Sequence, residues 1–179
     1  DESAALLAHH FEEAGEALPA ARWHGRAAVW VGRNDAPQSV RHVQRVLALT
    51  KGLDDSAERD RLRLDACRSL LGEGGWRIGL SLEEADQIYA GGRVPAERMQ
   101  DNETASAITI GYGATAGMRG SVQRYTELSA EGVALIRPDT SASAASCALS
   151  PGMGYSSYCA GRLEVALRHG LLALERVEG

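Results

Sequence analysis

The sequence predicts an all-α protein of about nine helices, built as stacked antiparallel helical hairpins. Apolar residues recur at three- and four-residue steps along most of the chain, which places them on one face of a helix. Gly and Pro separate these segments at short intervals, as is typical of helix ends. Aromatic residues make up only 5% of the chain while Gly occurs 20 times, so we expect the helices to approach each other through small side chains.

The first hairpin is expected to consist of helices 1 and 2. Apolar residues at helical spacing predict helix 1 over residues 2–14, and Gly15 ends it, as Gly commonly does. Helix 2 opens at Pro19, since proline is tolerated in the first turn of a helix. Its apolar stripe stops at residues 32–35, where Gly, Asn and Asp indicate a turn.

Helices 3 and 4 are expected to follow the same plan. Helix 3 begins at about Pro37 and runs to about Lys51. The polar break that follows offers helix 4 three N-cap candidates, Asp54, Asp55 and Ser56. The apolar stripe of helix 4 covers residues 62–71, and the glycines after it predict an irregular continuation through Trp76 to Ile78.

Helix 5 has the clearest start signal in the chain. Ser81 and Glu84 form a capping box, in which each side chain satisfies a backbone N–H of the other residue. The helix is predicted over residues 81–99, with Pro95 expected to bend or cut it because proline lacks the N–H donor. Helix 6 is predicted from about Asn102 to Met118.

Helices 7 and 8 have weaker signals. Helix 7 follows Gly120 and is expected to end at Pro138. Residues 140–150 are so rich in Ser and Ala that a linker and a closely packed helical face both fit. The Ser-Pro-Gly at residues 150–152 is expected to force a kink or a fresh start in helix 8.

Helix 9 is an amphipathic segment that follows the Gly-Arg turn at residues 161–162. It is expected to pack against residues 155–159 of helix 8 through four side chains, Leu163, Ala166, Gly170 and Ala173. Three further apolar residues would still need cover, Leu171, Leu172 and Val177. We therefore expect either further repeats or a second copy of the chain to pack there.

A repeat is visible in the glycines that precede three of the helices. Gly79, Gly120 and Gly161 lie at equal intervals of 41 residues (120 − 79 and 161 − 120). A fixed period in the range of about 34 to 47 residues is typical of helical hairpins that stack on their neighbours. The sequence therefore predicts a single helical-repeat domain over residues 1–179, with a tetratricopeptide-like right-handed superhelix; the alternative is an irregular helical bundle.

Composition and charge exclude several classes of protein. The formal net charge is −5, whereas nucleic-acid binding normally shows as a cationic face, so no nucleic-acid partner is expected. No apolar run approaches the roughly 20 residues of a membrane span, and no signal peptide is visible, which favours a soluble, cytoplasmic protein. The missing initiator Met suggests a piece of a longer multidomain chain. The three cysteines contain no C-x-x-C pair and are interpreted as buried, reduced thiols.

Several motifs resemble a family of bacterial signalling proteins. L-A-H-H-F-E-E-A-G-E at Leu7–Glu16, followed by A-A-R-W-H-G-R-A-A, resembles the junction between a signal-transduction ATPase domain and its C-terminal helical repeats. G-W-R-I-G-L-S-L-E-E-A-D-Q-I-Y-A-G-G-R-V-P-A-E-R-M at Gly75–Met99 and Y-C-A-G-R-L-E-V-A-L at Tyr158–Leu167 resemble the tetratricopeptide-like tail of adenylate or guanylate cyclase–ATPase proteins. The resemblance implies a regulatory or partner-binding region whose catalytic domains lie on another segment.

No catalytic, cofactor or metal residues are predicted. Lys51 is not preceded by the glycine-rich loop of a P-loop ATPase. His9 and His10 are adjacent and point about 100° apart on a helix, so they cannot chelate one metal. His24 could approach His10 across the first hairpin, but ordinary packing is the favoured interpretation.

The remaining candidates are aromatic residues on helices that could line a concave groove. We expect three groove contacts, Tyr112, Tyr155 and Tyr158. The favoured function is a non-catalytic interaction module that binds a protein partner or the attached cyclase and ATPase domains, or forms a homodimer. The alternative is a sensor with an effector-binding pocket between hairpins, which would show as a closed pocket with convergent polar groups.

Overall fold

A computed structural model describes residues 3–32, 34–72 and 77–178. Within these ranges every regular element is helical and no strand is present, which confirms the all-α class. The described residues form nine continuous helices: α1 (Ala4–Glu13), α2 (Ala17–Val31), α3 (Ala36–Thr50), α4 (Ala57–Cys67, continued by a π-helical segment Arg68–Gly72), α5 (Leu82–Met99), α6 (Asn102–Met118), α7 (Val122–Ala134), α8 (residues 142–159) and α9 (Leu163–Glu178).

The chain divides into two compact units, Asp1–Leu70 and Leu71–Gly179. In the first unit each helix packs on the next, and α2 also contacts α4. Alanines supply much of this core, including Ala8 of α1 and Ala20 of α2, which are fully buried. Small side chains let the helices approach closely, as the composition predicts. The single domain over residues 1–179 and its superhelix stay predictions.

Helix starts agree well with the sequence signals in the first unit. α2 begins at Ala17, two residues before the expected Pro19, which therefore lies in the first turn. The Asp35 carboxylate accepts from the backbone N–H of Gln38 at 2.9 Å and caps α3. Ser56 is the N-cap of α4, accepting from the Arg59 N–H at 3.2 Å.

The end of α4 is partly outside the described residues. The helix continues as the π-helical segment to Gly72, and residues 77–79 form a turn before α5. The expected irregular continuation through Trp76 lies outside the residues that the structure describes. Ser81 then caps α5 with both hydrogen bonds of the capping box in place, the Glu84 carboxylate accepting from the Ser81 N–H at 2.8 Å.

The second unit is organised around α6, which packs on α5 and α7. Glycines on α6 make this packing very close. A Cβ at Gly111 would lie 2.1 Å from the carbonyl oxygen of Leu71, and one at Gly117 would lie 2.8 Å from the ring of Tyr125. Ile108 and Leu128 complete the core between α6 and α7, both almost fully buried.

The prediction that Pro95 cuts helix 5 is wrong, whereas the predicted bend stays a prediction. α5 runs from Leu82 to Met99 with Pro95 buried inside it. A proline costs most when its ring meets the carbonyl of the residue four positions earlier, which here is Gly91. Gly91 and Gly92 have no side chains to restrict the local backbone, so we attribute the uninterrupted helix to them.

Residues 140–150 are not a linker, because α8 covers most of them. α8 consists of an α-helical part Ala142–Cys147, a π-helical segment Ala148–Gly154 and a second α-helical part Tyr155–Cys159. The helix makes no fresh start at residues 150–152, because the π-helical segment includes Pro151 without ending the helix, and the expected kink stays a prediction. α7 ends at Ala134, earlier than predicted.

The three glycines of the 41-residue repeat occupy equivalent local positions. Gly79, Gly120 and Gly161 have φ angles of 79°, 100° and 73°, which L-amino acids with side chains rarely adopt. Each lies in the turn that precedes α5, α7 or α9. The repeat therefore corresponds to recurring left-handed turns.

Candidate functional sites

The side of α9 that packs against α8 is made of small residues. Ala173 is 3% exposed, and Ala166 and Gly170 are half-buried. A Cβ added at Gly154 of α8 would lie 3.5 Å from the Ala166 carbonyl oxygen, so the two backbones are close. The prediction that Leu163 also faces α8 is wrong, because its side chain is 62% exposed. Leu163 lies about 60–80° around the helix from Ala166 and Ala173.

An adjacent side of α9 carries a row of exposed leucines, which we call the leucine face: Leu163, Leu167, Leu171 and Leu174. Their exposed fractions are 62%, 65%, 52% and 58%. Single exposed apolar residues are common, whereas a contiguous row on one helix is typical of an interaction surface. The leucine face is therefore the first candidate site.

Charged residues border the leucine face along one edge. At 100° per residue, Glu164, Arg168 and Glu175 lie within about 40° of each other on α9. With neighbouring leucines they line a shallow groove of about 340 Å³. These three side chains form no ion pair within the described part of the chain, so their charges are open to an external partner.

A second candidate site is a cleft of about 480 Å³ in the second unit, formed by α5, α6 and the end of α7. Arg93 and Glu97 form an exposed ion pair on one wall, at 3.4 Å. On another wall the Asn102 amide oxygen, in the orientation that satisfies both groups, accepts from Arg137 at 2.7 Å (Nε) and 3.2 Å (Nη2). The cleft thus combines charges of both signs with an apolar floor that includes Ile108.

The predicted groove tyrosines lie in two different settings. Tyr112 stacks on Tyr89, a residue of the cleft, with ring centroids 4.7 Å apart, and donates its hydroxyl hydrogen to Asp86. The Asp86 carboxylate raises the pKa of Tyr112. Tyr155 and Tyr158 of α8 stack on each other at 6.2 Å and are 45% and 61% exposed. Their role as groove contacts stays a prediction.

The third candidate is a polar cluster inside the first unit, which we call the histidine cluster: Glu12, His24, His42 and Arg45. The Nδ1 atoms of His24 and His42 are 2.8 Å apart, so one hydrogen is shared between them. The other nitrogen of His24 contacts Glu12, whose second oxygen accepts from Arg45 Nε at 2.8 Å. His24 contacts Glu12 and His42 in this cluster, and no contact with His10 is present among the described residues.

The charges in the histidine cluster perturb its titration. Hydrogen bonds from Arg45 and from His24 lower the pKa of Glu12 to about 2. Burial, with the neighbouring His24 and Arg41, lowers the pKa of His42. The geometry is that of a hydrogen-bonded link between α1, α2 and α3.

The cysteines are distributed differently from the prediction. Cys67 is buried, and burial raises the pKa of its thiol to about 11. Cys147 and Cys159 are exposed, so for these two the expectation of buried thiols is wrong. Within the described ranges no group of three or more His, Cys, Asp or Glu side chains is placed to hold a metal ion. No helix in the described part of the chain is long and apolar enough to cross a bilayer.

Comparisons with known proteins do not identify a function, so the functional proposal rests on the geometry of the candidate sites. A scan against protein-family models, a search of curated proteins and a search of solved structures each find no match.

Proposed function

We propose that this chain is a non-catalytic, tetratricopeptide-like interaction and regulatory module of a cytoplasmic bacterial signalling protein. In this proposal its helices belong to a right-handed superhelix, and it regulates a protein partner or attached cyclase and ATPase domains. The observation that carries the proposal is the leucine face. Large apolar side chains lie outside on α9, while small ones lie inside, so the helix presents its most hydrophobic side to a partner.

The free energy available from covering this surface is substantial. Full burial of a leucine side chain is worth about 1.5–3 kcal/mol. Since each residue of the leucine face is about half to two-thirds exposed, covering all four corresponds to roughly 5 kcal/mol before the cost of association. This gain is comparable to the cost of association, so the apolar surface that the partner buries must contribute as well.

Site-specific photocrosslinking tests the proposal. A photoreactive benzoylphenylalanine is placed at Leu171 and, as a matched control, at Val29, an apolar residue of α2 that is 83% exposed. We expect a saturable crosslink to one protein species from position 171 in cells that express the gene, and none from position 29. Equal labelling at the two positions, or none at either, would contradict the proposal.

A second function is favoured by the cleft between α5, α6 and α7. Its volume of about 480 Å³ suits a small molecule, and the charges of both signs suit a zwitterionic or anionic effector. In that case the chain is a small-molecule sensor.

Calorimetric titration with a panel of amino acids and dicarboxylates tests the sensor. Saturable binding that Arg137→Gln abolishes supports it, since Arg137 lines the cleft. Arg124→Gln is the control, because Arg124 lies on α7 outside the cleft and pairs with Glu127. Binding that survives Arg137→Gln, or no binding at all, argues against it.

A further inference from the structure

We propose that the leucine face binds a second copy of this chain, with α9 of the two copies packed antiparallel about a two-fold axis at Leu171. The proposal rests on the proposed function, in that it names the partner for the interaction surface. Two properties of α9 carry it: the spacing of its exposed leucines and the order of the charges beside them.

The leucines are arranged almost symmetrically about Leu171. Leu167 lies four residues before it and Leu174 three residues after it, and both are more than half exposed. When a second α9 runs antiparallel about Leu171, its Leu174 lies opposite position 168 of the first helix. Leu174 of one copy is therefore displaced from Leu167 of the other by only one residue, about 1.5 Å along the helix. Leu171 meets its own copy at the axis. The three leucines at positions 167, 171 and 174 of each helix thus lie opposite leucines of the other helix.

Two of the three charges along the edge of the leucine face, Arg168 and Glu175, are complementary to each other across the two-fold axis. Arg168 lies three residues before Leu171 and Glu175 lies four residues after it. Equivalent edges of two antiparallel helices face each other, so Arg168 of each copy comes beside Glu175 of the other. The two-fold axis produces this ion pair twice. Neither residue forms an ion pair with a described residue of its own chain, so both are available.

Parallel pairing lacks this complementarity. In a parallel two-fold pair residues meet at equal heights, so the charged edge of one helix meets the opposite edge of the other. That opposite edge carries Gly170 and Val177, which have no charge. Arg168 and Glu175 would then have no oppositely charged partner. The antiparallel arrangement is the one that matches both the leucines and the charges.

The size of the surface sets the expected affinity. α9 has 16 residues and is about 24 Å long. One helix of this length on each side makes an interface at the low end of the range for specific complexes, below roughly 1,200 Å² in total. We therefore expect a weak, reversible dimer with a Kd in the micromolar range.

Sedimentation equilibrium of the purified chain measures this dimer directly. Leu171→Glu should weaken dimerisation by at least about 100-fold, because it places two carboxylates at the axis in an apolar contact. Val29→Glu is the matched control and should leave the Kd unchanged. Leu171 is 52% exposed, so the variant should fold, as circular dichroism will verify.

Charge reversal tests the antiparallel register. Arg168→Glu and Glu175→Arg each convert both ion pairs into like-charge pairs, so each alone should raise the Kd about tenfold. The double variant should restore the wild-type Kd. An equimolar mixture of the two single variants should also form heterodimers. Positions 168 and 175 are both Glu in one variant and both Arg in the other, so each pair across the axis joins a carboxylate to a guanidinium.

Two outcomes overturn the proposal. One is a monomeric chain at a concentration of about 0.5 mM, far above a micromolar Kd. The other is a dimer that Leu171→Glu leaves intact or that the double charge reversal fails to restore. Either result overturns the dimer alone. A photocrosslink from position 171 to a different protein would still support the proposed function. Absence of any crosslink from that position would contradict the proposed function itself.

Discussion

Replacement of Gly111 by alanine should destabilise the second unit, although alanine is the better helix former. A Cβ at this position would lie 2.1 Å from the Leu71 carbonyl oxygen, 2.4 Å from its carbonyl carbon and 2.9 Å from the Gly72 nitrogen. All three are backbone atoms, so no side chain can rotate away. The two segments would have to separate.

The size of the effect follows from that separation. Ordinary contacts of a Cβ begin at 3.4 Å, so the gap at Gly111 must open by 1.3 Å (3.4 − 2.1). Overpacking of this kind costs typically 1–3 kcal/mol, and a backbone obstacle places Gly111 at the upper end. The gain in helix propensity offsets about 1 kcal/mol. We expect a net loss of about 2 kcal/mol.

Urea unfolding followed by circular dichroism measures the difference. Gly170→Ala is the matched control, because Gly170 is also helical and in the second unit, but its Cβ would meet nothing within 4 Å. That variant should gain about 0.5–1 kcal/mol. The reasoning is refuted if Gly111→Ala unfolds at the same or a higher urea concentration than the wild-type chain.

Three further predictions concern single groups. Arg45 holds the pKa of Glu12 at about 2, below the 4.5 of an unperturbed carboxyl. The stability that the ionised Glu12 carboxylate gives the folded chain is therefore complete above pH 4.5 and is lost as the pH falls through 2. Glu12→Gln should flatten this dependence in urea titrations at several pH values, and an unchanged slope would contradict it. Tyr125→Phe removes the hydroxyl that donates to the Pro151 carbonyl at 2.8 Å and should cost about 1 kcal/mol, whereas equal stability would show that this bond adds nothing to stability. The Cys67 thiol, with its pKa raised by burial, should react with a thiol reagent only on unfolding; rapid labelling of all three cysteines would disprove this.

Local signals in the sequence predict much of the fold. The Ser81 capping box, the Ser56 N-cap and the glycine before α9 are short-range patterns, because each is completed within a few residues of chain. Pro95 shows the limit of this reasoning. The sequence rule places a cut there, whereas α5 continues through it to Met99.

The candidate sites are less predictable because packing creates them. The histidine cluster joins Glu12, His24 and His42 from three helices, and no spacing in the sequence marks them as neighbours. The charged cleft arises in the same way from α5, α6 and α7. Only the leucine face could be partly anticipated, since Leu171, Leu172 and Val177 are left over once the small residues of α9 are placed.

The assignment of the two sides of α9 can be tested with neighbouring positions. Ala173 is 3% exposed on the side toward α8, and Leu174 is 58% exposed on the leucine face. Ala173→Leu should destabilise the protomer by about 1–3 kcal/mol through overpacking. Leu174→Ala should change it by no more than about 0.5 kcal/mol, as for other surface substitutions. Urea unfolding at concentrations below the dimer Kd separates these effects from association. If Leu174→Ala is the more destabilising of the two, the leucines belong to the core of the protomer, and the leucine face cannot be a docking surface.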